Sequence, residues 1–189
     1  MGKIIKYNSP GAVLLACDIL CKGGIIVYPT DTVYGLGCDS KNETAIKRLN
    51  KIKNRSGPIS VIAPDKKIAM AWMSIKKNQI KSIKNKLKGG NTVIVPAKKN
   101  ICSDLIMGKG NSLGIRIPEN HFCKMLSSLY LNPITSTSVN QTGKTPLTKP
   151  DDIRNEFKND LDLIIDSGTI NGSASKVFLF KDHVWEQLR

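Results

Sequence analysis

The chain has 189 residues, 40% apolar and 23% charged, which is the composition of an ordinary globular protein rather than a disordered or fibrous one. Its 29 Lys and Arg stand against 15 Asp and Glu, for a net charge of +14. That balance suggests an anionic partner such as a nucleotide, phosphate or RNA, or else a solvated lysine-rich surface. No apolar run approaches the ~20 residues of a membrane span, no signal-peptide core opens the chain, and Lys6 stands where a myristoylation signal has Ser or Thr. A cytoplasmic protein without membrane attachment is expected, read as a single domain over 1–189.

In chain order, SPGAVLLACDILCKGG reads as a helix capped by Ser9, with Pro10 in its first turn, Gly23 after its end, and an apolar stripe of Val13, Leu14, Cys17, Leu20 and Cys21. IIVY at 25–28 is a strand. KNETAIKRLNKIK at 41–53 is a helix burying Ala45, Ile46, Leu49 and Ile52. PISVIAP at 58–64 is a strand bounded by prolines, and 65–75 and 77–88 are helical. In KKNQIKSIKNKLK, residues 76–88, Ile80, Ile83 and Leu87 follow helical spacing, so the lysines face outward, towards solvent or an RNA or phosphate. Strands follow at 92–97, 114–118, 133–138, 161–166 and 176–180. A helix at 120–130 carries Phe122, Met125, Leu126 and Leu129. Intermixed helices and strands without repeats predict an α/β or mixed α+β fold around a large sheet.

The five cysteines include no CxxC pair, which argues against a disulfide framework or a zinc site. Cys17 and Cys21 share a helix face, but His121 and His183 do not sit at ligand spacing. All five read as buried thiols. SVNQTGKT at 138–145 falls short of a phosphate-binding loop, because Ser138 stands where the motif needs glycine and Pro146 blocks the following helix.

Polar clusters close several predicted strands: YPTDTVYGLG at 28–37, Lys53-Asn54-Arg55, Thr137-Ser138-Val139-Asn140, Asp166-Ser167-Gly168 and Ser173-Ala174-Ser175. Open sheets bind ligands beyond their strand ends. If the backbone is extended at Lys53 and Arg55, a point charge and a planar fork face one way, which suits a polyphosphate or carboxylate. The same spacing sets the Ser138 hydroxyl beside the Asn140 amide. Taken singly, such pairs also occur as helix-end dipole partners and plain turns.

In this order, and with Gly114-Ile115-Arg116-Ile117-Pro118 between them, these stretches resemble the YrdC-like threonylcarbamoyl-adenylate synthases from about residue 8 to the C-terminus. The resemblance implies a twisted, largely open mixed sheet with flanking helices around a concave basic cavity. It implies that L-threonine, bicarbonate or carbon dioxide, and ATP give threonylcarbamoyl-AMP and pyrophosphate. The product would serve threonylcarbamoyladenosine formation in tRNA, through a separate transferase complex. By resemblance, Thr32 and Ser175 contact threonine, and Lys53 and Arg55 are catalytic and touch phosphates and carbamate oxygens. Arg116, Ser138, Asn140 and Arg189 join them in holding the nucleotide, and Mg²⁺ arrives with ATP. Gly35 and Gly37 would let the backbone approach the amino acid.

The chain departs from the family pattern in places. A short SGPISVIAP link follows Arg55, Ile62 stands at a histidine, Lys88-Gly89-Gly90-Asn91-Thr92 replaces Pro-Gly-Pro-x-Thr, and Ser175-Lys176-Val177 replaces Ser-Thr-Val. These bear on amino-acid specificity more than on nucleotide binding. Two alternatives stay open. One is a paralogue with another acceptor or no activity. The other is an RNA-binding module, although ten aromatics form no stacking stripe.

Overall fold

The structure, a computed structural model, describes residues 2–181 and 184–189. His183, weighed above as a metal ligand, lies outside the described residues. Ten strands form a single mixed sheet in the order β1-β8-β2-β3-β7-β4-β6-β5-β9-β10. In chain order they are β1 (Lys3–Lys6), β2 (Ile26–Tyr28), β3 (Gly35–Gly37), β4 (Ser60–Ile62), β5 (Asn91–Pro96), β6 (Ser112–Arg116), β7 (Ile134–Ser138), β8 (Leu163–Asp166), β9 (Lys176–Lys181) and β10 (Val184–Gln187). The helices are α1 (Ala12–Cys21), α2 (Glu43–Lys53), α3 (Lys66–Trp72), α4 (Ile80–Lys86), α5 (His121–Leu129) and α6 (Pro150–Glu156). None among the described residues is long and apolar enough to cross a membrane. The mixed α/β sheet expected from the sequence is what the chain forms.

Strand alternation splits the core in two. Val27, Val61, Val93, Val95, Leu113 and Ile115 point to one face, where they pack on Ala45, Ile46, Ala69 and Ile83 of α2, α3 and α4. Ile26, Tyr28, Ile62, Ile134, Leu163 and Ile165 point to the other, under α1 and α5. That second face is covered over only part of its width. Beyond Ile62 and Ile134 the same period-two positions become Ser60, Ser136, Gly114 and Thr92, and these line an open cavity instead of meeting a helix. The site is therefore the uncovered remainder of a sheet face.

Several local expectations change. Gly11, in the left-handed region at φ 77, caps α1 without a side-chain bond, and Ser9 contributes only its carbonyl, to the Ala12 amide at 3.1 Å. The buried positions of α1 are Ala12, Ala16 and Leu20, while Leu14 is 66% exposed. Small residues four apart let α1 lie close on the sheet, and that turns Leu14 and Cys21 outward. On α5 the inward residues are Phe122, Cys123 and Leu126, and Met125 and Leu129 face out. Cys38, Cys102 and Cys123 are buried, but Cys17 is half-buried and Cys21 exposed. The first predicted helix of 65–75 stops at Trp72, and the second begins as a 3₁₀ turn, Lys77–Gln79.

β1, β3, β10 and α6 were not legible in the sequence. β3 is Gly-Leu-Gly, a poor strand former, and it exists because β2 and β7 pair with it on both sides. A Cβ on Gly37 would lie 2.5 Å from the Thr135 carbonyl oxygen, so glycine is what admits β3 to that slot.

Candidate functional site

A cavity of about 930 Å³ opens over β4–β7 and β9. Lys53, Arg55, Arg116, Ser138, Asn140, Ser175 and Arg189 all line it, whereas Thr32 stands just behind Thr30, which does. The described lining residues include lysines and arginines but no Asp or Glu.

One end is built on the C-terminus of α2. The helix continues through Lys53, and Asn54 takes the left-handed conformation at φ 49, as asparagine tolerates. The extended backbone assumed for Lys53 and Arg55 is therefore replaced by a helix cap, yet both side chains still reach the cavity. Lys53 is 2% exposed. Its Nζ donates to the Ser138 carbonyl at 2.6 Å and to Asn140 Oδ1 at 2.9 Å. Asn140 Oδ1 also accepts from Ser138 Oγ at 2.6 Å, and its amide donates to the Gln141 and Lys144 carbonyls. Burial, then the neighbouring Arg55 guanidinium, holds the Lys53 amine down to about 8. Two protein acceptors take two of its three ammonium protons, and the third is left for a ligand. Arg55 donates to Thr137 Oγ1 at 3.4 Å. Burial, then Arg189, lowers its pKa as well, as expected of cations gathered without counter-charge.

The other end holds the threonines of the 28–37 stretch. Thr30 Oγ1 donates to the Val33 carbonyl at 2.6 Å, which uses its single hydrogen. In the 3.0 Å contact between Thr30 and Thr32 hydroxyls, Thr32 must therefore donate. Thr32 Oγ1 also accepts from Arg116 Nη1 at 3.1 Å. What it has left is one lone pair, which can only accept. Arg116 Nη2 pairs with Asp31 Oδ1 at 2.6 Å, and Arg116 Nε is buried without a protein partner. Thr92 Oγ1 on β5 and Ser175 Oγ, just before β9, are 2.9 Å apart. Arg189 donates from Nε to the Ser175 carbonyl at 2.9 Å and from Nη2 to Ser175 Oγ at 3.3 Å. Arg116, grouped with the nucleotide residues from the sequence, thus lies directly against Thr32.

Sequence reasoning passed over Asp31, Tyr34 and Thr92. Thr92 was recoverable from alternation, since it registers with Arg116 across β5 and β6. Tyr34 was not. Its hydroxyl donates to the Gly168 carbonyl at 2.7 Å and accepts from the Ser167 amide at 2.9 Å, contacts made 133 and 134 residues away. Through them the Asp166-Ser167-Gly168 cluster anchors the segment that runs on to Ser175. Ile62, at the position of the family histidine, is wholly buried with the α1–α5 cluster and is absent from the described cavity lining. Among the described residues no group of three or more His, Cys, Asp or Glu could hold a metal ion.

Residues 18–189 match the profile of the Sua5/YciO/YrdC family, described as telomere recombination. A threonylcarbamoyl-AMP synthase of Idiomarina loihiensis is 31% identical over 159 residues, which is 82% of this chain and 84% of the relative. The crystal structure of E. coli YciO superposes with a TM-score of 0.90 at 24% identity, over 100% of this chain and 95% of that one. P. abyssi Sua5 complexed with L-threonine superposes with a TM-score of 0.88 at 23% identity, over 100% of this chain and 57% of the other. With more than half its length matched to the profile and a relative above 30% identity, the chain belongs to the Sua5/YciO/YrdC family.

Proposed function

We propose that the protein is an L-threonylcarbamoyladenylate synthase, acting on L-threonine, bicarbonate or carbon dioxide, and ATP. The observation that carries this reading is the meeting of two unlike ends in one cavity. The Lys53–Arg55–Asn140 end suits phosphates, and the Arg116–Ser175 end, with Thr32 just behind it, sets hydroxyl oxygens beside a guanidinium, the complement of an amino-acid zwitterion. The similarity to a threonylcarbamoyl-AMP synthase supports the same reading.

The amine of threonine adds to carbon dioxide with loss of a proton, giving a carbamate. A carbamate oxygen then attacks the α-phosphorus of ATP, the bond to the β-phosphate oxygen breaks, and pyrophosphate leaves. Positioning three reactants and stabilising concentrated negative charge account for most of the barrier. Lys53 and Arg55 hold phosphate and carbamate oxygens, with Ser138, Asn140 and Arg189 along the nucleotide. Thr32 and Ser175 fix the amino acid. Mg²⁺ would be brought by ATP and would offset the charge of its phosphates, since the described lining offers lysines, arginines and hydroxyls but no carboxylate to hold the ion. The product passes in the cytoplasm to a transferase that modifies tRNA.

The test is pyrophosphate release from ATP and bicarbonate, with L-threonine, with L-serine and with neither. Threonine-dependent release supports the proposal. ATP binding without release under any condition overturns it in favour of a paralogue with another acceptor. Salt-sensitive RNA binding without ATP binding favours the RNA module.

A further inference from the structure

Asp31 is absent from the described cavity lining, yet its carboxylate holds elements that form the cavity. Oδ1 accepts from Arg116 Nη2 at 2.6 Å, with the two side chains 13% and 6% exposed. Oδ2 accepts from the Gly90 amide at 3.1 Å. The Gly90 carbonyl in turn accepts from the Lys176 amide at 2.8 Å, one residue past Ser175. One carboxylate therefore ties the end of β6, the turn before β5 and the start of β9 to the 28–37 stretch.

A guanidinium this buried needs a counter-charge. Where that charge sits decides which way the planar fork faces. With Nη2 held by Asp31, Nη1 reaches Thr32 Oγ1 and Nε stays unpartnered. A fork turned away from Asp31 would break the Nη1–Thr32 contact and part the guanidinium from the Thr32 oxygen, whose own hydrogen Thr30 already holds. We propose that Asp31 is the positioning residue of the amino-acid end, holding Arg116 against Thr32 so that a donor for the substrate's carboxylate stands beside the remaining Thr32 acceptor for its ammonium group. This rests on the reading of that end as an amino-acid site. Asp31 acts through Arg116 and takes no part in the chemistry.

The test is calorimetric titration of L-threonine, without nucleotide, and separately of pyrophosphate, into wild type, D31N, D31E, R116Q and D31N/R116Q. D31N is expected to bind threonine about tenfold or more weakly, the effect of losing one charge-assisted bond, with pyrophosphate affinity within about twofold. D31E keeps the charge but moves the carboxylate by a methylene, so a loss of roughly threefold or more is expected. It carries the same test if D31N does not fold. The double variant should be no weaker than R116Q, as for two residues acting in series. Wild-type threonine affinity in D31N and D31E, parallel loss of pyrophosphate binding, or additive losses in the double variant would each overturn the role of Asp31 alone. A wild-type protein that takes up pyrophosphate but no threonine overturns the amino-acid reading, and this proposal with it.

Discussion

Lys53 Nζ and Asn140 Oδ1 lie 2.9 Å apart across 87 residues of sequence, joining the end of α2 to the loop after β7. The bond fixes a cation where a helix C-terminus already favours one. It also makes Asn140 a support for Lys53.

Lys53→Ala should lower threonine-dependent pyrophosphate release by about 100-fold or more, the scale of losing a preorganised charge contact. It also leaves the Ser138 carbonyl and Asn140 Oδ1 short of a donor, at a cost of about 1–3 kcal/mol. The thermal midpoint should fall by several degrees while the far-ultraviolet spectrum keeps its shape. Near-normal turnover would remove Lys53 from the site.

The depressed pKa of Lys53, about 8, has a definite sign in stability. Below about 8 folded and unfolded chains both hold the proton, and the fold bears the full cost of a buried cation. Between there and the ordinary lysine value of about 10.4, only the unfolded chain holds it, so this group's contribution to stability rises with pH across that window. A bound triphosphate favours the ammonium form. ATP binding at a pH just above 8 should therefore take up protons. Titrations in two buffers of different ionisation enthalpy measure this. Lys53→Arg should abolish the uptake, and equal uptake in both proteins would dissociate it from Lys53.

Burial, then a neighbouring arginine, lowers the pKa of Arg55 and of Arg189, so the cavity gathers cations that oppose one another. Pyrophosphate at 100 times its Kd should stabilise the protein by about 2.7 kcal/mol, or roughly 5–10 °C at this size. Arg55→Ala should cut that gain by at least half when the thermal shifts are compared at matched concentration. A full gain in the variant would place the anion elsewhere.

Gly172 lies in the irregular stretch between β8 and β9, where an added Cβ would stand 1.8 Å from the Thr32 carbonyl oxygen. One of the two backbones must move. Gly172→Ala should weaken threonine binding by about tenfold, within the usual range for forcing a methyl group into a close contact. ATP affinity should change little. Calorimetry on the variant gives both numbers, and unchanged threonine affinity would show that the stretch yields without disturbing Thr32.

Local pattern alone determined much of this protein. The helical period of 41–53 placed Ala45, Ile46, Leu49 and Ile52 in the core, where they are buried. Apolar runs marked β2 and β8 because their residues meet apolar partners on both sheet faces, and β5 through Val93 and Val95 on its buried face. The strand-end clusters named Lys53, Arg55, Ser138, Asn140 and Ser175 of the cavity's polar lining, since hydroxyls, amides and cations collect where a chain leaves a sheet. Tertiary structure decided the rest. β3 has no strand propensity and is held by its neighbours, and α1 buries Ala12 and Ala16 while Leu14 faces out. Asp31, Tyr34 and Thr92 looked like ordinary turn and strand residues. Their roles come from partners 59 to 134 positions away, and such pairings arise only when the sheet order brings distant segments together. Sequence periodicity reports which face a residue takes within its own element. It carries no information on which side chain, from which other element, will stand opposite.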